Sequence, residues 1–432
     1  MVIFTSTNWL PVLYFCDRGY IVGWLLSMER KGDQNLWYEN SCLMKSESPG
    51  KKNWRRFRRN KLAVFGMAVI VISFFVAAFC YLFMPDNSPM ANRMNLSICN
   101  QPPGFATGML LVKRQHRSES SFFSELFLGK EARFDMIPIS SFRFEGTDIL
   151  YDEFTGADND PGMKHRMNLG SVTGETALIT EANSTNESIE KRREEIRKNN
   201  FIIKKFLLGT DRYGRDLLSR LLAGTRVTVS VGLIAVLISL VLGILFGSLA
   251  GFFRGWVDEV ILWLINVVWS IPTLLLVIAI TLVMGKGFEQ VFIAVGCTMW
   301  VEVARIVRGQ IFSIRELEFV DAGRALGFRN GRIILKHILP NIFGPIIVVA
   351  ASNFSAAVLL EAGLSFLGIG AQPPMPSWGA MIKENYGYII IPHSAYLAIL
   401  PGLAIMLLAM AFAFVGSGFR DAIDSRQQAS VV

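Results

Sequence analysis

Long uninterrupted apolar runs dominate the chain, and they are too long for strands or ordinary core helices. They are Leu62–Met84, Thr228–Phe253, Trp256–Met284 with Pro272 inside it, Phe288–Val307, Ile342–Leu367 and Ala395–Phe419. Each is long enough, as a helix, to cross a hydrocarbon core of roughly 30 Å. The pattern predicts about six spans, with a turn at Gly285-Lys286-Gly287 between the third and fourth. The basic cluster Lys51, Lys52, Arg55, Arg56, Arg58, Arg59 and Lys61 abuts the first run. Cations collect in cytoplasmic loops, so this flank is expected inside. Alternation then places residues 85–227 and Gly368–Tyr396 outside. It places Arg308–Asn341 inside, and both termini are cytoplasmic. The inner loop carries Arg308, Arg315, Arg324, Arg329, Arg332 and Lys336, whereas Gly368–Tyr396 has only Lys383. Arg212, Arg215, Arg220 and Arg226 run against this trend, as charges of a long translocated loop can.

Pro85–Phe206 breaks the apolar pattern. It is polar, mixed in charge and interrupted by Gly and Pro. Partial alternation over Met136–Tyr151 (Ile137, Ile139, Phe142, Phe144, Ile149, Tyr151) predicts two strands. Ser184-Thr185-Asn186-Glu187 reads as a capping box opening a helix through Arg197, polar all round and expected to be solvated. The segment is expected to be an extracytoplasmic α+β insert between the first and second membrane helices. Residues 1–43 form an N-terminal extension. Trp9–Leu26 is apolar but broken by Asp17 and Arg18. It suits neither a signal peptide nor a span, so it is expected to be peripheral, or the native start is Met28 or Met44.

Composition sharpens the class. The 432 residues are 52% hydrophobic and only 18% charged, against roughly 25% charged in soluble domains. Too few polar groups remain to cover a soluble surface, which points to an integral membrane protein. The net charge of +8 then belongs to cytoplasmic loops and not to a nucleic-acid face. Cys16, Cys42, Cys80, Cys99 and Cys297 show no C-x-x-C spacing, and His116, His165, His337 and His393 are scattered. Neither a disulfide framework nor a metal site is predicted. No nucleotide-binding loop or nucleophile elbow is present, so independent catalysis is not expected. Ionisable residues within spans are few: Glu302 and Arg305, placed near the inner end of the fourth, and Glu361 in the fifth. Glu302 and Arg305 share a helix face and could pair, either as a pathway or gating pair or as a partly solvated helix end.

The inner loop is the informative stretch. Leu317, Phe319, Val320 and Leu326 suit one face of a short helix that Gly327 would end in left-handed conformation. A second short helix would run to His337 and stop before Pro340. Apolar residues projected into the cytosol need a partner groove or a lipid surface to cover them.

This loop resembles the EAA motif of binding-protein-dependent ABC importer permeases. More specifically, the chain is similar to the second permease subunit of dipeptide/oligopeptide (and nickel) importers. The similarity is carried by Trp54–Ala63, Leu208-Gly209-Thr210-Asp211-Arg212-Tyr213-Gly214-Arg215-Asp216-Leu217-Leu218-Ser219-Arg220, Gly251–Asp258, Ile271-Pro272-Thr273 and Val307–Gln310. It continues in the inner loop, Glu361–Gly368 and Gln372–Gly379. The motif's Glu-Ala-Ala is here Asp321-Ala322-Gly323, and Gly323 weakens the helix by roughly 1 kcal/mol relative to Ala. The segment 85–206 is longer than that family's first outer loop.

The resemblance implies an all-α membrane protein of the type I ABC importer permease fold in a bacterial inner membrane. It implies a heterodimer with a second permease subunit, two cytoplasmic ATPases and an extracytoplasmic substrate-binding protein. ATP and Mg would be bound by the ATPases, and this chain would need no cofactor. Residues 313–340 would couple ATPase motion to alternating access through Glu318, Asp321, Ala322, Gly323, Arg324, Leu326, Gly327, His337 and Pro340. Gln372, Pro373, Pro374, Pro376, Ser377, Trp378 and Gly379 would form a gate or a receptor-docking edge, with Trp378 as an interfacial anchor in the plainer reading. The expected organisation is a basic segment (44–61), a first helix (62–84), the insert (85–206), a permease core (207–419) and a tail (420–432). Rival readings are a nickel or other small-solute ABC permease, an ion-coupled carrier, and a membrane-anchored sensor built on the outer domain.

Overall fold

The computed structural model describes residues 49–114, 129, 133–156, 162–174, 186–285 and 287–423. The expectations for residues 1–43, the tail beyond Ile423 and the cap residues Ser184 and Thr185 lie outside the described residues. The chain divides into two compact units, Met1–Lys52 and Asn53–Val432. Helix α1 (Pro49–Phe57) straddles their boundary. The sheet and the helical bundle both belong to the second unit.

Helix α2 (Lys61–Phe83) opens on Asn60, whose side chain accepts hydrogen bonds from the Leu62 and Ala63 N–H groups at 3.1 and 3.2 Å. Its apolar residues surround the axis, as in a membrane span. A loop with two 3-10 turns leads to a five-stranded antiparallel sheet. Its elements are β1 (Ala106–Lys113), β2 (Phe134–Glu145), β3 (Asp148–Glu153), β4 (Lys164–Asn168), α3 (Leu169–Thr173), α4 (Asn186–Asn199) and β5 (Phe201–Lys205). The sheet order is β4-β3-β2-β1-β5, with Leu110 opposite Ile137 and Phe142 opposite Tyr151. β2 and β3 occupy the alternating stretch. Helix α4 is not solvated all round: Ile189 and Ile196, two turns apart, are buried against Leu110, Ile149 and Tyr151. Two isoleucines seven apart are enough to seat an otherwise polar helix. The other face of the sheet packs Met109 against Ile98 and Phe206. At the neck, Gly104 donates to the Phe206 carbonyl and Phe206 to the Phe105 carbonyl, at 2.9 and 2.8 Å.

The remaining elements are helical: α5 (Leu217–Phe253), α6 (Gly255–Trp269), α7 (Thr273–Met284), α8 (Phe288–Ile314), α9 (Glu318–Ala325), α10 (Asn330–Arg332), α11 (Phe343–Leu367), α12 (Trp378–Asn385) and α13 (Tyr396–Ile423). Helix α5 has 37 residues and is therefore about 55 Å long. It begins eleven residues before Thr228, because Asp216 caps it by accepting from the Ser219 N–H at 3.1 Å. α10 does not stop before Pro340. It runs through a π turn (Ile333–Ile338) and a 3-10 turn (Leu339–Ile342) into α11. Pro340 falls in the first positions of the new turn, where its missing N–H costs little.

Among the described residues, five helices are long and apolar enough to cross a membrane, and α6 with α7 make a sixth crossing if the bent pair counts as one. Packing decides how that pair runs. Gly243 faces Val303, Gly247 faces Ala304 and Val307, and Gly251 faces Arg308 and Ile311. Numbers rise together, so α5 and α8 are parallel. The α6–α7 pair must therefore return the chain to the end where α5 began. The pair turns by 91° at Ser270–Pro272, where Pro272 offers no N–H and disfavours helical geometry at Ile271. The three glycines bring α5 and α8 into backbone contact: a Cβ on Gly247 would stand 2.6 Å from the Ala304 carbonyl oxygen. Small residues four apart allow such an approach. The bundle closes where Phe57 packs against Phe419, with ring centroids 4.5 Å apart. One end of the bundle thus carries the sheet and α12. The other carries α9, α10 and the last turn of α13.

Candidate functional site

Two places bring the predicted residues together, one at each end of the bundle. At the end away from the sheet, α9 projects between α8 and α10. Gly327 has φ +75°. The Phe328 N–H reaches the Gly323 carbonyl and the Gly327 N–H the Arg324 carbonyl, at 3.1 and 2.9 Å. This pair of bonds is the Schellman termination, which satisfies carbonyls that the helix leaves open. The apolar residues of α9 do not share one face. Val320 and Gly323 are buried against Ile333 and Ile338. Leu317, Phe319 and Leu326 face outward at 48, 42 and 71% exposure. Glu318, Asp321, Ala322 and Arg324 are exposed too, and Asp321 pairs with Arg324 at 3.1 Å. His337 stacks on Phe328, and Pro340 is exposed.

Charges fasten this loop to the helices. Arg308 grips Asp258 with two bonds of 2.5 and 2.6 Å. Arg254 bonds Glu316 at 2.6 Å, and Arg315 donates to the Phe252 carbonyl. Fork-to-carboxylate pairs of this kind fix orientation as well as distance. Arg308–Asp258 thus braces α8 on α6, Glu316 and Arg315 tie the loop to the α5–α6 junction, and the apolar tip stays open.

At the sheet end, residues 372–379 split into two groups. Gln372, Pro373 and Pro374 are exposed, while Pro376, Ser377, Trp378 and Gly379 are buried. Trp378 is not an interfacial anchor: it is 4% exposed, and its Nε1 donates to the Leu221 carbonyl at 2.9 Å. Ser377 caps α12, accepting from Ala380 at 3.1 Å. The first three residues form an exposed edge, with the Gln372 amide donating to the Gly368 and Gly370 carbonyls, and Trp378 and Gly379 pin α12 to α5 and α11.

The same end holds residues that spacing alone did not single out. Arg215, expected as a loop charge, is 1% exposed and bonds Asp211 at 2.6 Å and Glu384 at 2.5 Å. Arg220 reaches the same two carboxylates at 3.7 and 3.4 Å. Asp211 and Arg215 are four apart, but they sit in a turn where that spacing predicts no contact, and Glu384 is far along the chain. Beside them, burial pushes the Asp216 carboxyl above the usual carboxylate range, against the hydrogen bonds from Ser219. Within the bundle, Glu361 is buried and hydrogen-bonded by Ser365 at 2.8 Å and Thr228 at 3.3 Å, which makes it an internal tie between α5 and α11. Glu302 and Arg305 do not pair: the Arg305 guanidinium lies 3.0 Å over the Trp269 ring.

A bundle of apolar helices with a charge-braced loop at one end and a pinned cap at the other defines a polytopic membrane protein. Residues 243–429 match the model of the binding-protein-dependent transport system inner membrane component, and residues 48–103 match that of the N-terminal TM domain of oligopeptide transport permease C. Among curated proteins, the chain is 40% identical over 220 residues to the glutathione transport system permease protein GsiD of Pectobacterium atrosepticum, covering 51% of this chain and 72% of that one. It is 39% identical over 220 residues to the dipeptide transport system permease protein DppC of Alkalihalophilus pseudofirmus, with coverage of 51% and 72%. It is 36% identical over 218 residues to the oligopeptide transport system permease protein OppC of Bacillus subtilis, with coverage of 50% and 71%. The chain belongs to the family of binding-protein-dependent transport inner membrane components, and it is a multi-pass protein of the inner membrane.

Proposed function

We propose that the chain is the second permease subunit of an ATP-driven importer of dipeptides or oligopeptides. The relatives named for glutathione, dipeptide and oligopeptide transport support the substrate class. The observation that carries the coupling role is the outward apolar tip of α9, Phe319 and Leu326, on a loop otherwise fixed by salt bridges. Exposed apolar groups on a braced projection suit the groove of a partner protein. In this reading a cytoplasmic ATPase seats α9. Closure of two such ATPases rocks this chain against a different permease subunit, and access alternates by rigid-body motion. The chain makes and breaks no covalent bond, and ATP and Mg are held by the ATPases.

The basic flank 51–61 and the cationic loop support a cytoplasmic position for α9 and both termini. The sheet-bearing segment and α12 then lie outside the membrane, where a binding protein delivers substrate to the edge at Gln372–Pro374. The test is cross-linking in intact cells from Leu326→Cys. Capture of an ATPase subunit is expected, together with loss of dipeptide uptake when the chain is deleted. Failure to capture any ATPase, or labelling of that thiol from the outer side, would overturn the reading.

A further inference from the structure

Helix α8 changes character along its length. From Val291 to Val301 it is almost wholly buried, but Glu302, Gly309 and Ser313 are exposed and Arg305 is half-buried on the same stripe. Because α8 runs to Ile314, Glu302 is not near the helix end. It stands twelve residues from it, about 18 Å, and about 21 Å from Phe288. Within the apolar run Phe288–Val307 it stands five residues, about 8 Å, from the inner edge and is still inside the span.

The bent pair supplies the opposing wall. Asn266, Trp269 and Ser270 are exposed on the last turns of α6, next to the 91° bend. Arg305 lies over Trp269, which brings the two stripes together. Among the described residues no hydrogen bond or salt bridge engages Glu302. An exposed carboxylate beside a half-buried guanidinium inside the span is costly against lipid tails, and intramembrane charges face water-filled paths or partners. The cation over the indole face also leaves Arg305 donors directed away from the ring plane.

We infer that Glu302 and Arg305 form a dipolar subsite in the translocation pathway. Glu302 receives the ammonium and Arg305 the carboxylate of a zwitterionic peptide, which slides over Trp269. Side chains three apart on a helix start about 5–6 Å from each other at Cβ, and an extended dipeptide spans about 7 Å, so one peptide can meet both charges. The inference deepens the peptide-importer reading and rests on it for the identity of the ligand.

The test uses the importer in native membranes with the five cysteines replaced. Glu302→Cys is expected to react with charged, membrane-impermeant methanethiosulfonates in inside-out vesicles. Val241→Cys, on the apolar outer face of α5, is expected not to react. A free dipeptide should slow the reaction at position 302, whereas its N-acetylated amide should not. Glu302→Gln should cut dipeptide uptake about tenfold, the effect of losing one charge-assisted hydrogen bond, and Glu302→Asp should restore part of it. Reaction at position 302 no faster than at 241, or equal protection by the blocked and free peptides, overturns the subsite. If deleting the whole chain spares peptide uptake, the peptide-importer reading falls instead. The labelling contrast then still reports whether Glu302 faces water.

Discussion

At the residue scale, two glycines in the α9 loop have opposite meanings. Gly323 sits in α9 with ordinary space around it: an added Cβ would lie 3.6 Å from Phe328. Gly323→Ala should therefore raise the thermal stability of the loop by up to about 1 kcal/mol, the helix-propensity gain, with transport retained. A melting midpoint that falls would show that the site cannot accept the methyl. Gly327 also has open space, but its φ of +75° is strained for other residues. Gly327→Val should uncouple ATP hydrolysis from uptake while the complex still assembles, and normal substrate-stimulated uptake would contradict the coupling role. Asp216 gives a pH signature. Its folded pKa is raised by burial, so it binds protons more tightly folded than unfolded, and its contribution to stability is lost as pH rises through the folded value. Asp216→Asn keeps the cap and does not titrate. The stability of the variant relative to wild type should grow as pH climbs from about 4 toward neutrality, and a flat difference between the two melting curves would refute this.

At the element scale, the contact of α5 with α8 depends on a stripe of small residues. Gly247→Leu would drive a side chain into the Ala304 backbone and should lower the yield of folded permease in detergent. Wild-type yield and melting would mean that the two helices can part without cost. The buried ion cluster is the second element-level device. Removing one member of such a set strands its partners, with a penalty of about 3–5 kcal/mol. Glu384→Ala, which leaves Arg215 and Arg220 facing Asp211 alone, should thus destabilise α12 markedly, read as proteolytic cleavage near residues 372–385. Much at this scale is legible in the sequence. Apolar run length yields the spans because the bilayer imposes it, and Gly327 marks the end of α9 because few residues accept its backbone geometry. The beginning of α5 and the end of α8 lie beyond their apolar windows, because polar caps and charged turns extend a helix past the run that crosses the bilayer. The Arg215–Glu384 pair is illegible, since no local pattern reports a partner 169 positions away.

For the whole molecule, parallel α5 and α8 establish that the bent α6–α7 pair carries the chain back, which run lengths alone leave open. They also separate the two candidate regions: α9 lies at one end, and α12 with the sheet lies at the other. The role of the sheet is tested by excising residues 106–205, a cut that follows the neck. The helices should still assemble, and uptake should fall if the sheet meets a delivering partner. Transport unchanged by the excision would leave the sheet a passive addition.

The neck has a practical corollary. Phe105 and Phe206 lie side by side as antiparallel neighbours, and such neighbours stand about 5 Å apart at Cα. A fluorescent reporter or an affinity handle whose own ends meet in the same way should graft there without prying the membrane helices apart.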